Sequence, residues 1–104
     1  MTDGNWQEVA KADDIKPDEP IKVTCGTEDI ALFHVDGEIF ATHDICTHAY
    51  ASLSAGFQEG GEVECPLHEG RFNVKNGRAL CAPVTEGLKI YEVKVDNGTV
   101  FVKI

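Results

Sequence analysis

The chain has 104 residues, enough for one domain with a real core, close to the size at which a metal or cross-link helps, and too few for a second catalytic domain. Its formal charge of -9, from 18 acidic and 9 basic residues, argues against nucleic acid or anionic lipid as a partner, since both need a basic face. A partner with a basic docking surface fits better.

The opening "MTDGNWQEV" is polar and acidic, without the basic and apolar regions of a secretory signal, and no apolar run is long enough to span a bilayer. A cytoplasmic protein is expected, in which the four cysteines read as thiols or metal ligands rather than as a disulfide framework. Short runs rich in Val, Ile and Phe between regular turn signals predict an all-β domain. "KADDIKPDEP" (11–20) reads as a loop set by Pro17 and Pro20, with one helical turn started by Asp13 or Asp14. "PIKVTC" (20–25) and "IALFHV" (30–35) flank the turn "GTED", and "ALFHV" and "EIFAT" flank Asp36-Gly37, a strong hairpin dipeptide.

Residues 43–84 look different: they hold three of the four cysteines with only short strands, and they read as a small subdomain inserted between outer hairpins. Beyond them, "LKIYEVKV" and "TVFVKI" surround Asp96-Asn97-Gly98. In the last strand Val100, Val102 and Ile104 share one face, with Thr99, Phe101 and Lys103 on the other. In the strand before it, Leu88 and Ile90 are out of phase with Tyr91, Val93 and Val95, which predicts a bulge near Ile90 or a strand covered on both faces.

Cys46-Thr47-His48 is followed, after sixteen residues, by Cys65-Pro66-Leu67-His68. Each half is too short to offer both side chains from one face of a helix or hairpin, so each reads as a loop. The intervening "FQEGGEVEC" carries the turn Gly60-Gly61, and folding it back brings two cysteines and two histidines together. Structural zinc sites usually present paired cysteines and then paired histidines, whereas this chain interleaves them. Interleaving suits a binuclear cluster in which each loop gives its cysteine to one iron and its histidine to the other.

C-x-H, sixteen residues, C-x2-H resembles the Rieske motif, in which two histidines replace two cysteines on one iron of a two-iron cluster. The resemblance implies a Rieske fold, an antiparallel β-sandwich-like base with an inserted cluster-binding subdomain at about residues 43–84, holding one [2Fe-2S] cluster. It places Cys46 and Cys65 on the inner iron and His48 and His68 on the outer one. "ECPLHEGRF" and "ALCAPVT" are similar to the soluble Rieske ferredoxins of bacterial naphthalene- and biphenyl-type dioxygenases. Such a protein is a one-electron carrier, not an enzyme. It takes electrons from a flavin-containing NAD(P)H-dependent ferredoxin reductase, passes them to a terminal oxygenase, and docks transiently as a monomer. Where high-potential members carry two extra cysteines, this chain has Ala51 and Leu67; where they carry Ser and Tyr hydroxyls, it has Gly70 and Phe72. Fewer hydrogen bonds to sulfur imply a potential toward the low end of the Rieske window, roughly -150 mV.

The remaining candidates read more plainly. Cys81 is expected as a small buried hydrophobe and Cys25 as inert. His43 is expected beside the site or at the surface, and His34 as a satisfied or solvent-side strand residue. With His48 and His68 used, nothing marks His34 and His43 as a mononuclear oxygenase centre, which needs two histidines and a carboxylate. Asp44, Glu64 and Glu69 are expected to form an acidic rim around an apolar tip of Ala49, Tyr50, Leu67 and Pro83, the last resembling the family's proline loop. The alternatives are a Rieske-like small subunit of a larger enzyme such as nitrite reductase, and a zinc-stabilised interaction module.

Overall fold

The computed structural model describes residues 6–47, 51–66, 70–80 and 87–103. Its strands are β1 (Trp6–Lys11), β2 (Ile21–Cys25), β3 (Glu28–Val35), β4 (Glu38–His43), β5 (Phe57–Glu59), β6 (Glu62–Glu64), β7 (Arg71–Asn73), β8 (Ile90–Tyr91), β9 (Val93–Asp96) and β10 (Thr99–Lys103). They form three antiparallel sheets, β1-β10-β9, β2-β3-β4-β8 and β5-β6-β7. Two short 3-10 turns, Ala12–Asp14 and Leu53–Ala55, are the other regular elements among the described residues.

The hairpins follow from their turn residues. Asp36 and Gly37 both have positive φ (50° and 84°), as do Asn97 and Gly98 (50° and 76°), the conformation that matches strand twist across a two-residue loop. The β2-β3 ladder runs through to Cys25 opposite Glu28, so the loop there is only Gly26-Thr27, tighter than the four residues "GTED". The turn expected from Asp13 or Asp14 is present but begins at Ala12, and no side chain caps it.

The run "IALFHV" is buried on both faces. Ile30 and Leu32 join Ile15, Ala41, Tyr91, Val100 and Val102 in one core, while Ala31, Phe33 and Val35 join Cys46, Leu53, Val63, Cys65, Phe72 and Val74 in another. A strand covered twice has no need of a polar face, hence the nearly continuous apolar sequence.

"LKIYEVKV" departs from expectation. It is not one strand with a bulge, nor one strand covered twice: β8 pairs with β4 and β9 with β10, and the chain changes sheets at Glu92. The phase break follows, with Leu88 and Tyr91 buried at 7% exposure while Ile90 and Val95 stand 46% and 47% exposed. In β10, Val100 and Val102 are fully buried, and Ile104 lies outside the described residues.

The β5-β6-β7 sheet has one face inward, where Gln58, Val63 and Phe72 lie in register, and Ala79 extends the row through a bridge to Phe72. Gln58 ties this sheet to the base: its Nε2 donates to the carbonyls of His34 (2.9 Å) and Gly60 (3.0 Å).

Candidate metal centre

The two cysteines of the interleaved motif stand just past the ends of β4 and β6. Each begins a loop that closes on itself in the same way. The Cys46 N–H donates to the Ala51 carbonyl (3.0 Å) and the Cys65 N–H to the Gly70 carbonyl (2.7 Å), so each bond closes a loop of six residues. Both cysteines are buried, 3% and 1% exposed, in a single apolar cluster with Leu53, Val63 and Phe72. The folding-back of the Gly60-Gly61 hairpin is observed, with Gly60 at φ 58°. His48 and His68 fall inside the two closed loops and lie outside the described residues, as do Ala49, Tyr50, Leu67, Glu69, Cys81 and Pro83.

These surroundings suit the implied cluster. Two cysteines brought into one apolar core supply soft sulfur donors where a bare thiolate would be poorly solvated, which favours a metal or iron-sulfur group there. Phe72, fully buried, and Gly70, buried, stand beside this core, and neither side chain carries a hydroxyl.

The second stem depends on a glycine that the sequence did not single out. A Cβ on Gly56 would lie 2.2 Å from the Glu64 carbonyl oxygen and 3.2 Å from Pro66 Cδ, so the end of the 3-10 turn passes against this stem only without a side chain. A third loop leaves at Leu80, whose N–H donates to the Arg71 carbonyl (2.8 Å), and returns at Leu88, whose N–H donates to the Gly77 carbonyl (2.6 Å).

The acidic rim needs correction. Asp44 is fully buried and cannot face a partner. Its N–H donates to the Asp29 carbonyl (2.9 Å), its carbonyl accepts the Leu53 N–H (2.7 Å), and its Oδ1 accepts the Ser54 N–H (2.9 Å). It therefore pins the chain entering the first loop to both the base sheet and the Leu53–Ala55 turn. Its buried Oδ2 has no hydrogen-bond partner. Acidic residues are so seldom buried that nothing in the sequence signals this role. Glu64 is half-engaged, bound by Arg71 Nη2 at 3.0 Å.

Outside the loops, His34 is satisfied, its Nδ1 lying 2.9 Å from the Ile15 carbonyl oxygen. The His43 N–H donates to the Lys89 carbonyl (2.9 Å), joining β4 to the segment that leads into β8. Glu28 Oε1 accepts from the Tyr91 hydroxyl (2.6 Å) and from Lys89 Nζ (3.3 Å). The Tyr91 hydrogen bond, then Lys89, holds the Glu28 carboxyl below its ordinary range. Burial first, and then Glu28, pushes the Tyr91 phenol well above its own.

Comparison with known proteins agrees with this geometry. The Rieske [2Fe-2S] domain pattern matches residues 5–92. The ferredoxin component of the naphthalene 1,2-dioxygenase/salicylate 5-hydroxylase systems of Ralstonia sp. is 48% identical over 100 residues, 96% of each chain. The Sphingomonas yanoikuyae B1 ferredoxin superposes with a TM-score of 0.92 at 34% identity, covering 96% of this chain and 99% of that one. A ferredoxin-oxygenase complex of carbazole 1,9a-dioxygenase contains a chain that superposes with a TM-score of 0.90 at 39% identity, covering 95% of this chain and 93% of that one. A nitrite reductase small subunit is more distant, with 28% identity and a TM-score of 0.80 over the full length of both chains.

The chain belongs to the Rieske [2Fe-2S] domain family. It is an electron carrier of the ferredoxin-component kind rather than a catalytic enzyme, with one Rieske [2Fe-2S] cluster as its cofactor, which sets aside the zinc module.

Proposed function

We propose that Cys46, His48, Cys65 and His68 hold the cluster, and that the chain carries single electrons from a flavin-containing NAD(P)H-dependent reductase to the terminal oxygenase of an aromatic-ring-hydroxylating dioxygenase system. It does so as a cytoplasmic monomer of one domain, with residues 43–84 as the cluster-binding part. The observation that carries this reading is the matched pair of closed loops whose cysteines share one buried core. Among the described residues no helix is long and apolar enough to cross a membrane.

The bound cluster supplies a one-electron couple. The protein supplies its environment: Cys46 and Cys65 contribute thiolates from the apolar side, and the cluster of Leu53, Val63 and Phe72 keeps water from them. His48 and His68 contribute neutral imidazoles in place of two further thiolates, so less negative charge opposes an added electron. Phe72 and Gly70 give no hydroxyl to sulfur, which keeps the potential toward roughly -150 mV. Docking is brief, with total buried areas under about 1,200 Å².

The test is iron and acid-labile sulfide analysis with electron paramagnetic resonance of the reduced protein. His48→Cys and His68→Cys are expected to lower the potential or lose the cluster. A double variant with unaltered redox behaviour would overturn the ligand assignment.

A further inference from the structure

We propose that the outer face of the β5-β6-β7 sheet is a docking surface for the terminal oxygenase, seating Phe57 and Leu80 in apolar sockets on either side of a basic side chain. The proposal rests on the electron-carrier reading and adds the place and chemistry of contact.

The register builds this face. Phe57 lies opposite Glu64 and Glu64 opposite Arg71, and Leu80 continues the row through its hydrogen bond to the Arg71 carbonyl. The alternating row faces the core, so these four side chains share the outward face. Phe57 is 68% exposed and Leu80 42%, two of the four exposed large apolar side chains among the described residues, and they stand at opposite ends of one cross-strand row. Single exposed apolar residues are ordinary. Two of them bracketing an ion pair about 14 Å across, at three strand spacings, form a surface with an apolar-polar-apolar pattern.

Charge selects the occupant. Arg71 lies 3.6, 3.2 and 3.0 Å from carboxylate oxygens of Glu59, Glu62 and Glu64, three anions around one cation, and Glu59 is 83% exposed. A second copy would bring the same excess of carboxylates against itself, whereas a partner presenting Arg or Lys would be attracted. A ferredoxin 39% identical to this chain is seen in complex with its oxygenase. Position favours function as well: Glu64 precedes Cys65 and Arg71 follows Gly70, so the row crosses the stem of the second cysteine loop. Phe57 follows Gly56, whose backbone packs against Glu64, and an aromatic side chain is the kind of anchor that dominates interface energies.

The experiment uses the loaded full-length protein with the oxygenase and reductase components of the Ralstonia system as probes. It compares wild type with Phe57→Ser, Leu80→Ser and Glu59→Lys, after checking that iron content and the paramagnetic signal are unchanged. Phe57→Ser is expected to weaken oxygenase binding, read by surface plasmon resonance, by about tenfold. Glu59→Lys is expected to weaken it at low salt only, and reduction by the reductase is expected to proceed at the wild-type rate in the two apolar variants. Oxygenase binding unchanged in both apolar variants would overturn the proposal. So would a loss confined to the reductase, or a wild-type dimer that Phe57→Ser dissociates. Wild-type protein that neither binds the oxygenase nor reduces it would instead sink the functional reading, and the docking surface with it.

Discussion

Glu28 and Tyr91 form a contact 63 positions apart in sequence, and its pH dependence can be worked out by sign. The Glu28 carboxyl is held below its ordinary value of 4.5, so its contribution is present above that pH and is lost as pH falls through the lowered value. The Tyr91 phenol is held above its ordinary 10.0, so its contribution is complete below that pH and is lost as pH rises beyond it. The melting temperature of Tyr91→Phe should therefore fall less steeply above pH 10 than that of the wild type. Gly77 is a second single-residue device. It has φ 77°, and a Cβ there would lie 2.3 Å from the Leu88 carbonyl oxygen, whereas Gly60 at φ 58° has open space around it. Gly60→Ala should cost only the left-handed penalty of about 1–2 kcal/mol, and Gly77→Ala should cost more by denaturant titration because the third loop's base must also open.

At the scale of elements, much was legible. Asp36-Gly37 and Asn97-Gly98 fix their hairpins because few other pairs accept two positive φ values, and the alternation in β10 names its buried face. The loops beginning at Cys46 and Cys65 were readable from spacing, since so few residues separate each cysteine from its histidine. The sheet change at Glu92 was not, because a period of two reports which face a side chain takes and carries nothing about which sheet its strand joins. Asp44 was misread for a related reason: its backbone and carboxylate partners, Asp29, Leu53 and Ser54, become neighbours only after folding. Gln58 was equally silent, although it links two sheets through the His34 carbonyl. Gln58→Ala leaves that carbonyl without its donor and should lower unfolding free energy by about 1–3 kcal/mol, measured by chemical denaturation.

For the whole molecule, the two cores pack on opposite faces of β3, so the strand is shared between them and their unfolding is expected to be coupled. Calorimetry of the loaded protein should show one transition, and two separated transitions would count against a single domain. The formal charge of -9 acts at the same scale, drawing cationic partners over a distance set by ionic strength. Second-order rates of electron exchange with both partners should decline as salt is raised.

The self-closing stems at Cys46 and Cys65 have a practical corollary. Main-chain bonds to Ala51 and Gly70 fasten each loop at its own foot, so the backbone that carries the two sulfurs is tied to residues beyond 47–50 and 66–69. Exchanging those tetrapeptides for the ones of relatives should therefore shift the midpoint of the couple in a redox titration while both cysteines still hold iron.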